Sequence, residues 1–488
     1  MSRCNSDTAS RAKAAARTLT TIVIALTSTI VIALAGCANP SGIAPSATLV
    51  DPAKVGVAAG STVPAVAPDW WQGFADKELT ALIEQAVAGS PSLRVAQDRV
   101  ARAAAGAAVA RAAEGPQLNG SFDATRQRFT ETGIYPPPLA GSIRSSGTLQ
   151  LAGSWELDLF GRNRAALDAA VGSQRAAEAD AAAARVVLAV NMARSYVQLA
   201  RLLEQREVLH RSLGQRDQVL GLIRQRVSAG LDTTAELRIG EGALPETRVQ
   251  IEGVDEQIAL TRHAIAALAA SPPDAADALA PRLSAVRAVP VPELVPADLL
   301  GRRADIVAAR WRVEAASGEV ASARAQFYPN INLTAFVGLS SIGLDRLLQA
   351  GSQQYGAGPA IRLPIFDSGR LRANLRGRTA DLDAAIDTYN GSVIDAVHDV
   401  ADQISSSRSL ERQLREQNQA VASAEAAYDV VTQRYRAGLA TYLTVLNAET
   451  NVLAQRRLGV DIRARTLDTQ MLLVRALGGG YAAPGAVS

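Results

Sequence analysis

The chain has 488 residues, of which 20% are charged and only 4% aromatic, with alanine very abundant. That composition favours long packed helices over an aromatic-cored globule. The formal net charge of +3 comes from the first 36 residues, which hold four basic and one acidic residue; the rest of the chain has 46 of each, so no basic surface for nucleic acid is expected.

Residues 1–36 read as a secretory signal: Arg3, Arg11, Lys13 and Arg17 precede the apolar run LTTIVIALTSTIVIALA, and the segment is set aside from the fold. It ends Leu34-Ala35-Gly36-Cys37, which resembles the lipobox of bacterial lipoproteins. The resemblance implies that the Cys37 thiol carries a diacylglycerol, that the signal is cut before it, and that the new amino end is acylated. Two or three chains, each contributing about 0.8 kcal/mol per buried CH₂, anchor a protein stably. Ala38, in place of an Asp, favours sorting to the outer membrane by the same resemblance. Cys4 leaves with the signal, so no disulfide within the chain is expected. Residues 37–68, rich in Ala, Pro, Val, Ser and Gly, read as a flexible tether.

Trp70, Trp71 and Phe74 open the folded part, which carries an internal duplication. Residues 92–116 parallel 305–329. Leu-Asp-Leu-Phe-Gly-Arg at 157–162 parallels Leu-Pro-Ile-Phe-Asp-Ser-Gly-Arg at 363–370, and Gln-Arg-Val-Ser-Ala-Gly-Leu at 225–231 parallels Gln-Arg-Tyr-Arg-Ala-Gly-Leu at 433–439. The expected plan is repeat one over 69–271, a linker over 272–300, repeat two over 301–480 and a tail over 481–488. Each repeat is read as a helix of about 25 residues, a strand pair, a very long helix, a tight turn and a second helix.

The first strand pair is expected near 117–130 and 147–160, the second near 329–341 and 354–366. Leu149, Leu151, Gly153, Trp155, Leu157 and Leu159 alternate with Thr148, Gln150, Ala152, Ser154, Glu156 and Asp158. Ile331, Leu333, Ala335, Val337 and Leu339 alternate with Asn330, Asn332, Thr334, Phe336, Gly338 and Ser340. Membrane barrels show this pattern, and so does a soluble sheet with one wet face. Four strands cannot close a barrel, for which about eight is the practical minimum, and an open edge in lipid leaves backbone groups unpaired. Membrane strands here would therefore require several chains to share one barrel.

The long helices should run from about Arg162 to Ser228 and from Leu371 to Arg436, since no proline lies between Pro138 and Pro245 or between Pro364 and Pro484. Each would reach roughly 100 Å at about 1.5 Å per residue, and neither holds 18 consecutive apolar residues, so neither reads as a membrane span. Pro245, inside the shorter helix of repeat one, is expected to bend it locally. No catalytic or metal site is expected and no cofactor is implied: His210, His263 and His398 are scattered, His398, Asp399 and Asp402 read as a solvated face, and the glycines at 478–480 end a helix with no phosphate-loop residues after them.

In this order, the motifs resemble the TolC-like outer-membrane efflux family, and within it the NodT-type lipoproteins. The resemblance rests on the lipobox, Arg302-Arg303-Ala304-Asp305-Ile306, Tyr328-Pro329 before a strand, Arg434-Tyr435-Arg436-Ala437-Gly438, and Ala476-Leu477-Gly478-Gly479-Gly480. It implies a mainly α fold with a membrane β-barrel: a homotrimer whose three chains form a twelve-stranded barrel in outer-membrane lipid and a long helical tunnel in the periplasm. The tunnel's far end would close like an iris and open on docking of a periplasmic adaptor (membrane fusion) protein and an inner-membrane transporter, of RND or another type. By the same resemblance the tips around Arg226, Gly230, Arg434, Tyr435 and Gly438 latch or dock the adaptor, and Leu443, Thr444 and Asn447 hold the gate. Asn447 departs from the acidic residue common in relatives, so a threefold ring there would be neutral. A poreless coiled-coil periplasmic lipoprotein, or a type I secretion channel, are the alternatives. With a barrel, Cys37 becomes a sorting tag and auxiliary tether.

Overall fold

The structure, a computed structural model, describes residues 40–51, 54, 66–287 and 299–482. Cys37 and the signal segment lie outside them. By internal packing the chain forms two units.

Among the described residues, the first unit comprises 40–48, Arg102–Arg175 and Trp311–Asp387. Its centre is a four-stranded antiparallel sheet in the order β1 (Gln117–Arg128), β2 (Ile143–Leu157), β3 (Asn330–Ile342), β4 (Gln353–Arg362). β1, read from sequence as the least regular strand, pairs with β2 over its full length. β2 starts four residues before the expected 147 and stops at Leu157, because the Asp158 carboxylate turns to accept the Arg164 amide at 2.8 Å. β4 stops at Arg362, two residues before Pro364, which has no amide to continue a ladder.

Register sorts every residue onto one of two faces. Leu118 lies opposite Gly153, Ala335 and Ala357; Gly120 opposite Leu151, Val337 and Tyr355; Trp155 opposite Leu333 and Pro359. The side chains on this face are apolar and largely exposed, Tyr355 at 82% and Leu118 at 73%. The other face carries Gln117, Ser154 and Thr334 in one row and Ser121, Gln150 and Gln354 in the next but one, with Thr148 and Ser340 hydroxyls 3.1 Å apart and the Gln354 amide donating to Gln150 at 3.3 Å. Phe336 is the large apolar residue on the polar face, and it lies over Gly356, where a Cβ would meet its ring.

Four helices enter this unit: the end of α2 (Pro91–Ala112), the start of α3 (Arg162–Ser228), most of α5 (Ala304–Ala325) and the start of α6 (Arg370–Arg436). Small residues let α3 and α5 approach closely. A Cβ at Gly318 would stand 2.9 Å from the Ala165 carbonyl oxygen and the Ala169 nitrogen, and one at Gly172 would stand 3.0 Å from the Ala315 nitrogen. The Arg175 guanidinium lies 4.4 Å from the Trp311 ring centroid in the same seam. Residues 40–48 are held rather than loose: Ser46 and Ala47 amides donate to Asp383 on α6 at 2.9 and 3.0 Å, and Ile43 is buried.

The second unit comprises Leu49–Ala101, Ala176–Arg310 and Thr388–Ser488. It holds α1 (Lys77–Gly89), the rest of α3 and α6, α4 (Thr234–Leu268) and α7 (Tyr442–Ala476). Trp70, Trp71, Phe74, Leu79 and Ile83 pack with Met192, Tyr196 and Leu199 of α3, Ile258 and Ile265 of α4 and Met471 of α7. Asp76 caps α1 through the Glu78 and Leu79 amides, and its other oxygen accepts the Tyr196 hydroxyl at 3.0 Å. Arg303, in the Arg-Arg-Ala-Asp-Ile motif, is buried and donates to Asp305 at 2.7 Å and to Asp399 on α6 at 3.3 Å. Asp399, read from sequence as part of a solvated face with His398, is indeed exposed, and it also pairs with Arg303. The Val50 amide donates to Asn390 at 2.8 Å, a second hold on the segment expected as a tether.

The two halves of the chain use the same lengths: 22 residues in α2 and α5, 67 in α3 and α6, 35 in α4 and α7. Helix α4 continues through Pro245 over its full span. Among the described residues no helix is long and apolar enough to cross a membrane. Replacing Gly318 by Leu should force α3 and α5 apart at a cost of about 1–3 kcal/mol; the expected result is a lower unfolding temperature of the purified protein, while Gly391→Leu, where a Cβ would meet nothing within 4 Å, stays near wild type.

Candidate functional site

Two helix reversals share one geometry. α3 ends with Gly230 at φ +71°, and α6 ends with Gly438 at φ +76°. In each, the glycine amide donates three residues back (to Val227 and Tyr435) and the next leucine amide donates five residues back (to Arg226 and Arg434). This paired closure of orphan carbonyls needs a left-handed residue, which glycine accepts at little cost. Thr233 then caps α4 with a capping box in which Glu236 accepts the Thr233 amide at 2.6 Å. Thr441 occupies the same place before α7, but the third residue there is Thr444, whose hydroxyl lies 3.1 Å from that of Thr441.

The reversals differ in one residue that decides the electrostatics. Asp232 follows Gly230 by two, where the second reversal has Ala440. Arg226 grips Asp232 with two parallel bonds, Nε at 2.9 Å and Nη2 at 3.0 Å, and its Nη1 donates to the Tyr435 carbonyl at 3.2 Å. Its guanidinium sits 4.7 Å from the Tyr435 ring centroid. The Tyr435 hydroxyl donates to Asp232 at 2.5 Å. Tyr435 is fully buried, and the Arg226 and Asp232 side chains are 13% and 6% exposed. The bond from Arg226 holds the Asp232 carboxyl below its ordinary value, assisted by Tyr435 and opposed by burial. Burial, then the bond to Asp232, pushes the Tyr435 hydroxyl up. Arg434 stands where Arg226 stands in the first reversal, lacks the aspartate, and is exposed.

Of the residues expected at this end of the chain, the structure joins Arg226 and Tyr435 in one latch, while the two glycines close the reversals. It places Leu443, Thr444 and Asn447 elsewhere, exposed on α7, with Leu443 and Asn447 one turn apart on a single stripe. The buried side of the same helix turn carries Tyr442, Val445, Glu449 and Val452. Two partners escaped sequence reading. Asp232 looked like a loop residue, and only its meeting with Arg226 and Tyr435 gives it a role. Glu449 carried a signal, a carboxylate in an i, i+3, i+7, i+10 run of otherwise apolar positions, and it is paired with Arg216.

This arrangement of two long helical hairpins, a two-faced sheet and a latch has known counterparts. A model of the outer membrane efflux protein family matches residues 82–271 and 295–479. The chain belongs to that family. It is 38% identical over 358 residues to fusaric acid resistance protein FusA of Burkholderia cepacia, covering 71% of this chain and 67% of the relative. It is 32% identical over 428 residues to multidrug resistance outer membrane protein MdtQ of Escherichia coli O157:H7, covering 84% and 88%. Its fold matches the outer membrane protein VceC of Vibrio cholerae with a TM-score of 0.81 at 36% identity, over 86% of this chain and all of that one. The protein is thus an efflux channel component of the outer membrane, and its family consists of transport proteins rather than enzymes. The reading as a poreless periplasmic lipoprotein is set aside by this match.

The latch has a defined pH window. A carboxylate with a lowered pKa keeps its contribution above the ordinary value of 3.8 and loses it as pH falls through its own lower value. A tyrosine with a raised pKa keeps its contribution below the ordinary 10.0 and loses it as pH rises through its own higher value. A spin label at exposed Leu439 should therefore stay immobile between these limits, become mobile in Tyr435→Phe, and be unaffected by Arg434→Ala.

Proposed function

We propose that three copies of this chain form a passive export conduit, with a shared twelve-stranded barrel in the outer membrane and a tunnel of long helices in the periplasm, working with a periplasmic adaptor and an inner-membrane transporter. The observation that carries the reading is the sheet. One face is apolar and exposed, the other polar, and among the described residues β1 and β4 each leave one edge without a partner. Strands of 10 to 15 residues are long enough to span a tilted barrel wall. Hydrocarbon tolerates the apolar face but not the open edges, because an unpaired backbone amide or carbonyl there costs several kcal/mol. Edge-to-edge closure with further copies removes that cost, and the polar face then lines water.

In this reading the latch of Arg226, Asp232 and Tyr435 holds the tunnel's closed end, and the exposed stripe of Leu443 and Asn447 faces its copies across the axis. Thr444 has a simpler local role beside Thr441 at the start of α7. The outward faces of the tips, with Arg434 exposed, are available to the adaptor. The cargo belongs to small organic compounds, as the names of the relatives suggest. The lipid on Cys37 sorts the chain, and the barrel holds it. Repeats over 69–271 and 301–480 supply two strands and two long helices each.

Purified protein should run as a heat-sensitive trimer and give stepwise conductance in planar bilayers; a monomer without conductance would remove the proposal. Because the gate ring would carry amides rather than carboxylates, trivalent cations should block the wild-type channel weakly. Three carboxylates in Asn447→Asp should lower the blocking concentration by roughly tenfold or more; strong block of the wild type, unchanged in the variant, would place the ring elsewhere.

A further inference from the structure

Inward from the tips, the first buried ion pair in the seam between α3, α4 and α7 forms a polar layer; farther along, Arg201 and Gln205 of α3 meet Asp461 of α7 and Arg194 meets Asp468. Arg216 on α3 donates from Nε to Glu449 Oε1 on α7 at 2.8 Å, and the Ser212 hydroxyl donates to the same oxygen at 2.9 Å. Arg216 Nη1 donates across to α4, to the Ala243 carbonyl at 3.0 Å and the Thr247 hydroxyl at 2.9 Å. The Arg216 and Glu449 side chains are 9% and 8% exposed. Apolar neighbours flank the layer on each helix: Leu209 and Leu220 on α3, Leu244 and Ile251 on α4, Val445 and Val452 on α7.

A buried ion pair is a poor stabiliser, since desolvation offsets most of its attraction, but it fixes register, because any slip strands a charge. The positions give that property a use. Glu449 follows Asn447 by two residues and Leu443 by six on the same helix. If one residue from each copy is to close a pore, every copy must present it at the same height. A slip of α7 by one turn, about 5.4 Å, would displace that stripe and also pull Glu449 off Arg216. Arg216 lies ten residues before Arg226, roughly 15 Å along the helix, so the latch can open while the layer stays closed.

We propose that Arg216 and Glu449 are positioning residues for the gate: their layer locks α7 at a fixed height against α3 and α4 and confines opening to the helix ends beyond it. This rests on the gate reading above. The test is closed-channel conductance in planar bilayers, together with thermal stability of the assembled protein. Replacing both partners with apolar residues, Arg216→Met with Glu449→Leu, removes the tie nearest the gate without stranding a charge and leaves the links of Asp461 and Asp468 to α3 farther along the seam. The expected result is an assembly at least as heat-stable as wild type whose closed-state conductance rises by roughly tenfold. A purely structural role predicts that conductance follows stability and stays at the wild-type level, and that result overturns the proposal. Should the paired variant fail to assemble, Glu449→Gln decides, since it keeps acceptor oxygen and shape: a smaller rise supports the lock, and wild-type conductance overturns it. Tyr435→Phe separates the two readings. If it raises conductance while the paired variant does not, the lock falls and the gate stands; if neither it nor Leu443→Ala changes conductance, both fall.

Discussion

In hydrocarbon, a backbone amide or carbonyl must find its partner within protein. In the proposed barrel, the sheet of this chain answers to that constraint. Register places Leu118, Leu151, Trp155, Val337 and Tyr355 on one face, which is at home in lipid, and Gln117, Ser121, Gln150 and Ser340 on the other. Even Trp155, on the apolar face, donates its indole N–H to the Glu114 carbonyl at 2.9 Å. Among the described residues nothing pairs with the outer edges of β1 and β4. The proposed trimer follows from that shortage, and the twelve-stranded barrel follows from the trimer.

The duplicated plan gives each half helices of 22, 67 and 35 residues, and both reversals use the same glycine closure. Function enters where the halves stop matching. Asp232 against Ala440 makes Arg226 a buried clamp and leaves its counterpart Arg434 in solvent. Tyr435 against Val227 adds the hydroxyl that completes the clamp. Glu236 against Thr444 gives α4 a capping box that α7 lacks. These substitutions turn two similar hairpins into one that holds and one that is held.

The latch and the polar layer divide labour along the helix. The latch sits at the helix ends, beside exposed turn residues such as Leu439, although its own side chains are as buried as those of the layer. The layer of Ser212, Arg216, Thr247 and Glu449 is sealed by apolar neighbours on all three helices, where exchange with water is costly. In the proposed reading, the site that opens and the site that stays shut therefore differ in place, at the helix ends or within the seam, more than in burial or chemistry.

The outer-membrane efflux resemblance, the long helices, the strand alternation and the glycine turns were legible in the sequence because each is periodic or local. Proline-free runs specify long helices, period-two alternation specifies a two-faced sheet, and Ala-Gly-Leu specifies a reversal. Helix α3 runs over Arg162–Ser228 and α6 over Arg370–Arg436, where the absence of proline placed them. Tertiary structure decided the rest. The docking of residues 43–50 on Asp383 and Asn390, the pairing of Arg303 with Asp399, the partners of Tyr435 and the burial of Glu449 against Arg216 all join residues far apart in the chain. Sequence shows that a charge is present, but whether it meets solvent or a countercharge depends on which helix faces lie together, and no local pattern encodes that.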